Sequence, residues 1–232
     1  MSYLGFVGIM TDHCAKFGKP RVLEIGVDRG QTTLPLLSNL LGLKREFQYV
    51  GVDIRADLCF YNQLNQMRGI HLIEKSSPKQ TNVRYLINNS LTTLPELVKD
   101  GWKFDLILID GDHNYGTVKK ELEYLEQLSH SMTLVICDDY SGRHADTDTF
   151  YSDYETHQDI ELFQEVEAPE GRAGVNQAID DFVASTENWR LIPATQEPVL
   201  LVPQGIVYIP NPNGPGVLLS LQPRGSDYLL LI

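Results

Sequence analysis

Basic residues are scarce in this sequence. Lysine and arginine number 19 against 31 aspartates and glutamates, a formal charge of −12, and no run of basic side chains is available to answer a phosphate backbone. This argues against long nucleic acid as a partner. Cysteine is equally sparse. Cys14, Cys59 and Cys137 are odd in number, lack C-x-x-C spacing and have apolar neighbours, so neither a disulfide framework nor a thiolate metal centre is indicated. All three read as small core residues in a reducing compartment. Long hydrophobic runs are also missing: Leu106 to Ile109 and Leu134 to Cys137 are far too short to cross a bilayer, and no basic segment followed by an apolar one opens the chain. The expectation is a soluble, cytoplasmic protein with no membrane partner.

What is present is ordinary globular composition, 42% hydrophobic and 22% charged over 232 residues, enough for one substantial core. One domain spanning residues 1–232 is expected. Short apolar runs alternate with segments of helical period, the pattern of βα units in an α/β fold with a doubly wound, mostly parallel sheet. The predicted strands are Arg21 to Ile25, Tyr49 to Asp53, Arg84 to Ile87, Asp105 to Ile109 and Thr133 to Cys137. Between them, Gln31 to Leu41 places Leu34, Leu37, Leu40 and Leu41 on one helical face, and Thr117 to Leu128 does the same with Val118, Leu122, Leu125 and Leu128.

Ser141 to Arg172 is polar, acidic and aromatic with little periodicity, and reads as a long active-site cap or oligomer-contact insertion. His144, His157, Asp146, Asp148, Tyr151 and Tyr154 lie in it and are candidates to line the acceptor pocket, with a solvated loop the simpler description of them. Helical pattern returns at Val175 to Val183. Past Ile192 the β-formers Val199 to Val202, Ile206 to Ile209 and Val217 to Leu221 read as a C-terminal β-hairpin extension. Alone, about forty residues would be marginal, so 193–232 is assigned to the same sheet. His13, His71 and His130 read as surface or helix-flanking residues, and Trp102 and Trp189 as core residues preceding strands.

Chemistry concentrates where strands end. Glu24-Ile-Gly26-Val-Asp-Arg-Gly30 spans a strand-to-helix turn, where a glycine lets a ligand approach the backbone. The spacing is not the G-x-G-x-x-G of dinucleotide binding, and an acidic Asp28 suits a cationic sulfonium better than a pyrophosphate. Asp53 closes Val50-Gly-Val-Asp53, where a carboxylate can accept both hydroxyls of a ribose.

V-L-E-I-G-V-x-x-G, then V-G-V-D, then Leu106-Ile-Leu-Ile-Asp110-Gly-Asp112-His113-Asn-Tyr115 resembles the class I S-adenosylmethionine-dependent methyltransferases, which have a Rossmann-like fold. D-G-D-H-x-Y followed by Asp-Asp-Tyr after the fifth strand is similar to the branch containing the macrocin O-methyltransferase (TylF-like) sugar methyltransferases. The resemblance covers about Arg21 to Tyr140, with a weaker echo in Gly174 to Phe182. It implies that Glu24, Gly26 and Gly30 shape the methionine pocket, that Asp53 holds the ribose, and that Asn89 and Ser90 lie near the adenine, with Asp110 also bordering the donor. The chain departs from the commonest loop by carrying Asp28 where that loop has glycine.

Four carboxylates, Asp110, Asp112, Asp138 and Asp139, follow adjacent strands and should face the ligand crevice. Crowded buried acids need a counter-charge, and all-oxygen donors point to Mg²⁺, with Mn²⁺ or Ca²⁺ as substitutes, and not to zinc. The same acids could instead cap a helix or turn. In the resembling sugar methyltransferases the first Asp of D-G-D and both residues of Asp-Asp hold a metal, and the second Asp of D-G-D is the general base. That implies Asp110, Asp138 and Asp139 as ligands and Asp112 as base. His113, beside Asp112, is the second candidate base, because imidazole titrates near neutral pH.

The leading expectation is therefore a metal-assisted O-methyltransferase acting on a small polyhydroxylated molecule such as a sugar or glycosylated metabolite, in a homo-oligomer. A metal-independent methyltransferase of another acceptor and a non-catalytic Rossmann-like scaffold are the alternatives. An NAD-linked oxidoreductase is disfavoured by the glycine spacing.

Overall fold

Alternation of buried strands with one-faced helices produces the expected order of elements. The computed structural model describes residues 6–55, 57–68, 70, 72–73, 83–141, 143–153, 164–192, 199–203, 206–209 and 217–220. Helix α1 (Val7–Cys14) leads into β1 (Arg21–Ile25), α2 (Thr33–Gly42), β2 (Gln48–Asp53), α3 (Leu58–Gln66), β3 (Leu72–Ile73), β4 (Val83–Ile87), α4 (Ser90–Lys99), β5 (Leu106–Ile109), α5 (Tyr115–Leu128) and β6 (Leu134–Cys137). After the insertion come α6 (Val175–Ala184), β7 (Trp189–Ile192), β8 (Val199–Pro203), β9 (Ile206–Ile209) and β10 (Val217–Ser220).

Eight strands form one sheet in the order β3-β4-β2-β1-β5-β6-β8-β7. The first six are parallel to their neighbours, and β8 runs antiparallel to both β6 and β7. This is the Rossmann-like, mostly parallel arrangement. The chain builds outward from β1 to β3, then returns to lay β5 on the other side of β1, so a topological switch lies between β1 and β5 and opens a crevice at their carboxyl ends. Of the C-terminal β-rich part, β8 belongs to the main sheet, whereas among the described residues β9 and β10 pair with each other, in a second, two-stranded sheet.

Side-chain alternation along the strands divides the core into two layers. Val22, Tyr49, Leu106, Leu108, Leu134 and Ile136 pack with Met10, Leu36, Leu37, Leu40, Phe60 and Leu64, covered by α1, α2 and α3. Leu23, Ile25, Val50, Val52, Ile107 and Val135 pack with Leu94, Leu97, Leu122, Leu125, Ile179 and Phe182, covered by α4, α5 and α6. The predicted face of α5 is buried throughout, and the helix starts two residues before Thr117 because the Asn114 side chain accepts the Thr117 N–H at 2.8 Å. On α2 the buried stripe is Thr33, Leu36, Leu37 and Leu40, with Leu34 and Leu41 half-buried at its edges.

Four local readings differ from the structure. Cys59 is exposed on α3, while Cys14 and Cys137 are buried. His13 is buried on α1, its Nε2 sitting 2.9 Å from the Asp105 carbonyl oxygen. Trp189 is buried in the core as expected but opens β7 and does not precede it, and Trp102 is half-buried, stacked on Phe104. The helix α1 and the short strand β3 carry too little periodicity to announce themselves. His71, Tyr154 and His157 lie outside the described residues, as do 154–163 of the insertion and much of 193–232. Among the described residues no helix is long and apolar enough to cross a membrane.

Candidate active site

The β1-to-α2 turn is shaped by backbone that L side chains resist. Gly26 adopts φ +82°, and a Cβ there would stand 2.0 Å from the Asp110 carbonyl oxygen, so β1 and β5 touch at the switch point only because no side chain intervenes. Gly30 adopts φ +71°, with the Phe60 ring occupying the space of its missing Cβ. Asp28 also lies in the left-handed region, at φ +44°. The residue type differs from the commonest loop, but the backbone conformation that favours glycine is kept.

Asp53 holds this turn. Its Oδ2 accepts the Val27 and Asp28 amides at 2.9 and 2.8 Å, and its Oδ1 accepts Arg55 N–H at 2.8 Å. A carboxylate has roughly four acceptor positions, so three backbone donors leave capacity for a ligand hydroxyl. Sequence reading gave Asp53 a ligand and missed its loop-organising bonds, which only the register between β1 and β2 reveals. Behind the turn, Glu24 points into the α2 side of the sheet and accepts Tyr49 Oη–H at 2.5 Å and Thr33 Oγ1–H at 2.9 Å. Burial pushes its carboxyl up to about 7, against the lowering effect of those two bonds.

Between the ends of β1, β2, β4 and β5 is an open pocket, lined by residues that include Gly26, Asp53, Asn88, Asn89, Ser90, Gly111, Asp112, Glu121 and Tyr151. Asn89 caps α4, its Oδ1 accepting Leu91 N–H at 2.8 Å. Ser90 is turned inward and donates its hydroxyl to Glu121 Oε1 at 2.6 Å. Glu121 was not singled out from the sequence, whereas Tyr151 was named there as a candidate to line the acceptor pocket. Glu121 hides on the polar side of a lysine- and glutamate-rich helix, and Tyr151 comes from the insertion.

The carboxylates divide into two groups. Asp110 and Asp138 share a hydrogen bond, and burial first, then the Asp138 charge, hold the Asp110 carboxyl well above the usual carboxylate range. Asp112 accepts the His113 amide and Asn114 Nδ2–H, both at 2.7 Å, and so braces the cap of α5. Burial, reinforced by Glu165, raises its carboxyl to about 7. Asp139, at φ +54°, lies 3.5 Å from His113 Nδ1, and its charge also acts on Asp110. The imidazole is stacked on His144 at 4.6 Å with an interplanar angle of 5°. Burial lowers the His113 pKa to about 4, which keeps the ring neutral.

Potential ligand atoms of His113, Asp139 and His144 fall within 4.8 Å of one another. They are not a preformed metal centre. Ring lone pairs lie in the ring plane, and two parallel stacked rings direct them along separate planes, so one ion cannot lie in line with both.

The insertion is sewn to this mouth. Asp148 Oδ1 accepts the amides of Tyr115 at 2.7 Å and Gly174 at 2.8 Å, Thr149 N–H bonds to the His113 carbonyl at 3.0 Å, and Glu165 accepts the Tyr151 amide at 2.6 Å. His144 Nδ1 lies 2.6 Å from Thr149 Oγ1, whereas Asp146 is exposed. The segment read as a solvated loop therefore carries three acids' worth of different duties: one structural, one bracing Tyr151, one in solvent.

The geometry has counterparts. A family described as Methyltransferase domain matches residues 23–140, just over half of the 232-residue chain. No protein of curated function matches the sequence significantly. Among solved structures, the chain is similar to the apo form of CalS11, a TDP-rhamnose 3′-O-methyltransferase of calicheamicin biosynthesis, with TM-score 0.52, 16% identity, and coverage of 86% of this chain and 78% of that one. It is similar to the MycE methyltransferase of mycinamycin biosynthesis, in complex with Mg, S-adenosylhomocysteine and mycinamycin VI, with TM-score 0.50, 14% identity and 88% of this chain matched, which spans half of the MycE chain. A putative rRNA methylase from Clostridium thermocellum gives TM-score 0.52, 10% identity, and coverage of 87% and 96%. These likenesses establish a shared fold. The match along 23–140 begins within β1, runs through β6 and includes every strand-end residue of the pocket, and by it the chain belongs to the methyltransferase domain family.

Proposed function

We propose that the chain transfers the methyl group of S-adenosylmethionine to a hydroxyl of a small polyhydroxylated acceptor, such as a sugar or glycosylated metabolite. The observation that carries this reading is the convergence, at one switch point, of the glycine-shaped turn, the Asp53 carboxylate and the Asp110–Asp138 pair. Gly26 and Gly30 give the turn the backbone path that seats the methionine moiety, Glu24 anchors the turn from beneath through Tyr49 and Thr33, and the remaining acceptor capacity of Asp53 takes the ribose. Asn89 and Ser90 border the base. The donor brings an electrophilic methyl on a sulfonium, so the protein has to hold the acceptor oxygen in line and remove its proton.

A divalent cation fits the acid pair. Two half-buried carboxylates in contact need a shared proton or a cation between them, and an all-oxygen donor set suits Mg²⁺ or Mn²⁺. Asp110 and Asp138 would hold it, with Asp139 as the adjacent third donor, and it would acidify a bound hydroxyl. Asp112, lining the pocket, is the base in this reading. A neutral polyol is favoured over RNA because the chain carries −12 and no basic run.

A second reading has its own support. Asp139 lies 3.5 Å from His113 Nδ1, an arrangement in which a carboxylate orients an imidazole base and no metal is needed.

One assay separates the two: methyl transfer from labelled donor to a panel of nucleotide-linked and glycosidic sugars, with Mg²⁺ or with chelator. Metal assistance predicts turnover that drops about a hundredfold with chelator and in Asp138→Asn, while S-adenosylhomocysteine still binds. Turnover indifferent to both changes but abolished by His113→Ala would establish the metal-free dyad in its place.

A further inference from the structure

Glu121 has one oxygen that nothing among the described residues satisfies. The residue is 1% exposed, on the second turn of α5, and its Oε1 accepts the Ser90 hydroxyl at 2.6 Å. Its Oε2 is buried without a hydrogen-bond partner, and the residue lines the pocket beside Ser90, Asn89 and Asp112. A buried polar atom left unpaired costs about 1–3 kcal/mol, so such an atom on a side chain that lines a ligand cavity points to a ligand that pairs with it.

The position of that atom selects the part of the ligand. If the Gly26–Gly30 turn takes the methionine and Asp53 the ribose, the remaining end of the pocket, walled by the first turns of α4 and α5, is left for the base. We propose that Glu121 reads the nucleobase, the Oε2 side of its carboxyl offering a hydrogen-bond donor to a ring nitrogen of adenine. The inference rests on the donor-site reading above and adds to it the residue that distinguishes one purine from another.

The polarity follows from the partners. Ser90 donates to Oε1, which makes that oxygen the acceptor of the pair and leaves Oε2 as the seat of the acid proton when the group is neutral. Burial, with Asp112 adding to it, raises the Glu121 carboxyl to about 8, so the neutral form is available at physiological pH. Adenine presents unprotonated ring nitrogens to such a donor. Hypoxanthine carries a proton on the corresponding nitrogen of its Watson–Crick edge, and two donors would then face each other.

Calorimetric titration of the full chain with S-adenosylhomocysteine and with S-inosylhomocysteine tests this. Wild type is expected to prefer the adenosyl compound by about tenfold or more, the discrimination a site built to pair one polar group can provide. Glu121→Gln keeps an acceptor for Ser90 and a donor toward the pocket, so it should retain both affinity and preference. Glu121→Met should lose about tenfold in affinity for the adenosyl compound and bind the two nucleosides equally, with its melting transition intact. Glu121→Met that folds and retains the preference would overturn the assignment, as would Glu121→Gln that folds and loses it. Wild type that binds neither compound would overturn the donor-site reading itself.

Discussion

Replacing Asp53 with alanine should lower affinity for S-adenosylhomocysteine by about a hundredfold or more. The carboxylate ties three backbone amides, of Val27, Asp28 and Arg55, at 2.8–2.9 Å, and hydrogen bonds to a charged group contribute roughly 1.5–3 kcal/mol each. Removing it frees the turn that shapes the methionine end and removes the acceptor proposed for the ribose. Losing about 3 kcal/mol of binding is a factor of about a hundred. Asp53→Asn should fall between, because its Oδ1 can still accept from the turn while its NH₂ meets another donor. Calorimetry reports affinity, and circular dichroism separates it from unfolding. Wild-type affinity in folded Asp53→Ala would contradict the account.

Gly26→Ala should be the most damaging single change in the loop. A methyl group at φ +82° would sit 2.0 Å from the Asp110 carbonyl oxygen and 2.6 Å from Gly111 Cα, and neither atom belongs to a flexible side chain. Asp110 is fixed by its own amide bond to the Ile25 carbonyl at 2.8 Å, so relief requires β1 and β5 to separate at the centre of the sheet. Backbone strain plus overpacking of this kind costs about 3–5 kcal/mol, or roughly 6–20 °C in Tm for a chain of this size. Asp28→Gly is the contrasting change: the backbone there is already left-handed, at φ +44°, and Gly removes strain at the cost of chain entropy. It should shift Tm by only a few degrees. Thermal melts of the two variants check the pair, and equal melting temperatures would show that Gly26 is not a close-approach site.

The parallel strands were legible in the sequence because a strand buried on both faces must be apolar along its length, and Leu106 to Ile109 or Leu134 to Cys137 have no other reading at that length. The strand-end acids were legible for a related reason, since a buried apolar run that stops at an aspartate marks the sheet's rim. How those acids pair was not legible. Asp138 and Asp139 are neighbours in the chain, yet one turns to Asp110 and the other to His113, because a left-handed φ at Asp139 redirects its side chain, and no composition rule encodes that. Glu121 was missed because it lies in a helix whose exposed acids and lysines look alike in one dimension, and only the packing of α5 against α4 buries it against Ser90. Likewise Asp148 looked like one more polar loop residue until the fold brought Tyr115 and Gly174 to the same oxygen.

The most direct trial of the central claim is a crystal structure of the protein soaked with S-adenosylhomocysteine. The account predicts the homocysteine portion against the Gly26–Gly30 turn, the ribose hydroxyls on Asp53, and the base between Ser90 and Glu121. A nucleoside bound anywhere else, for example over the exposed Leu58 and Ile87 side chains beside α3 and β4, would contradict it.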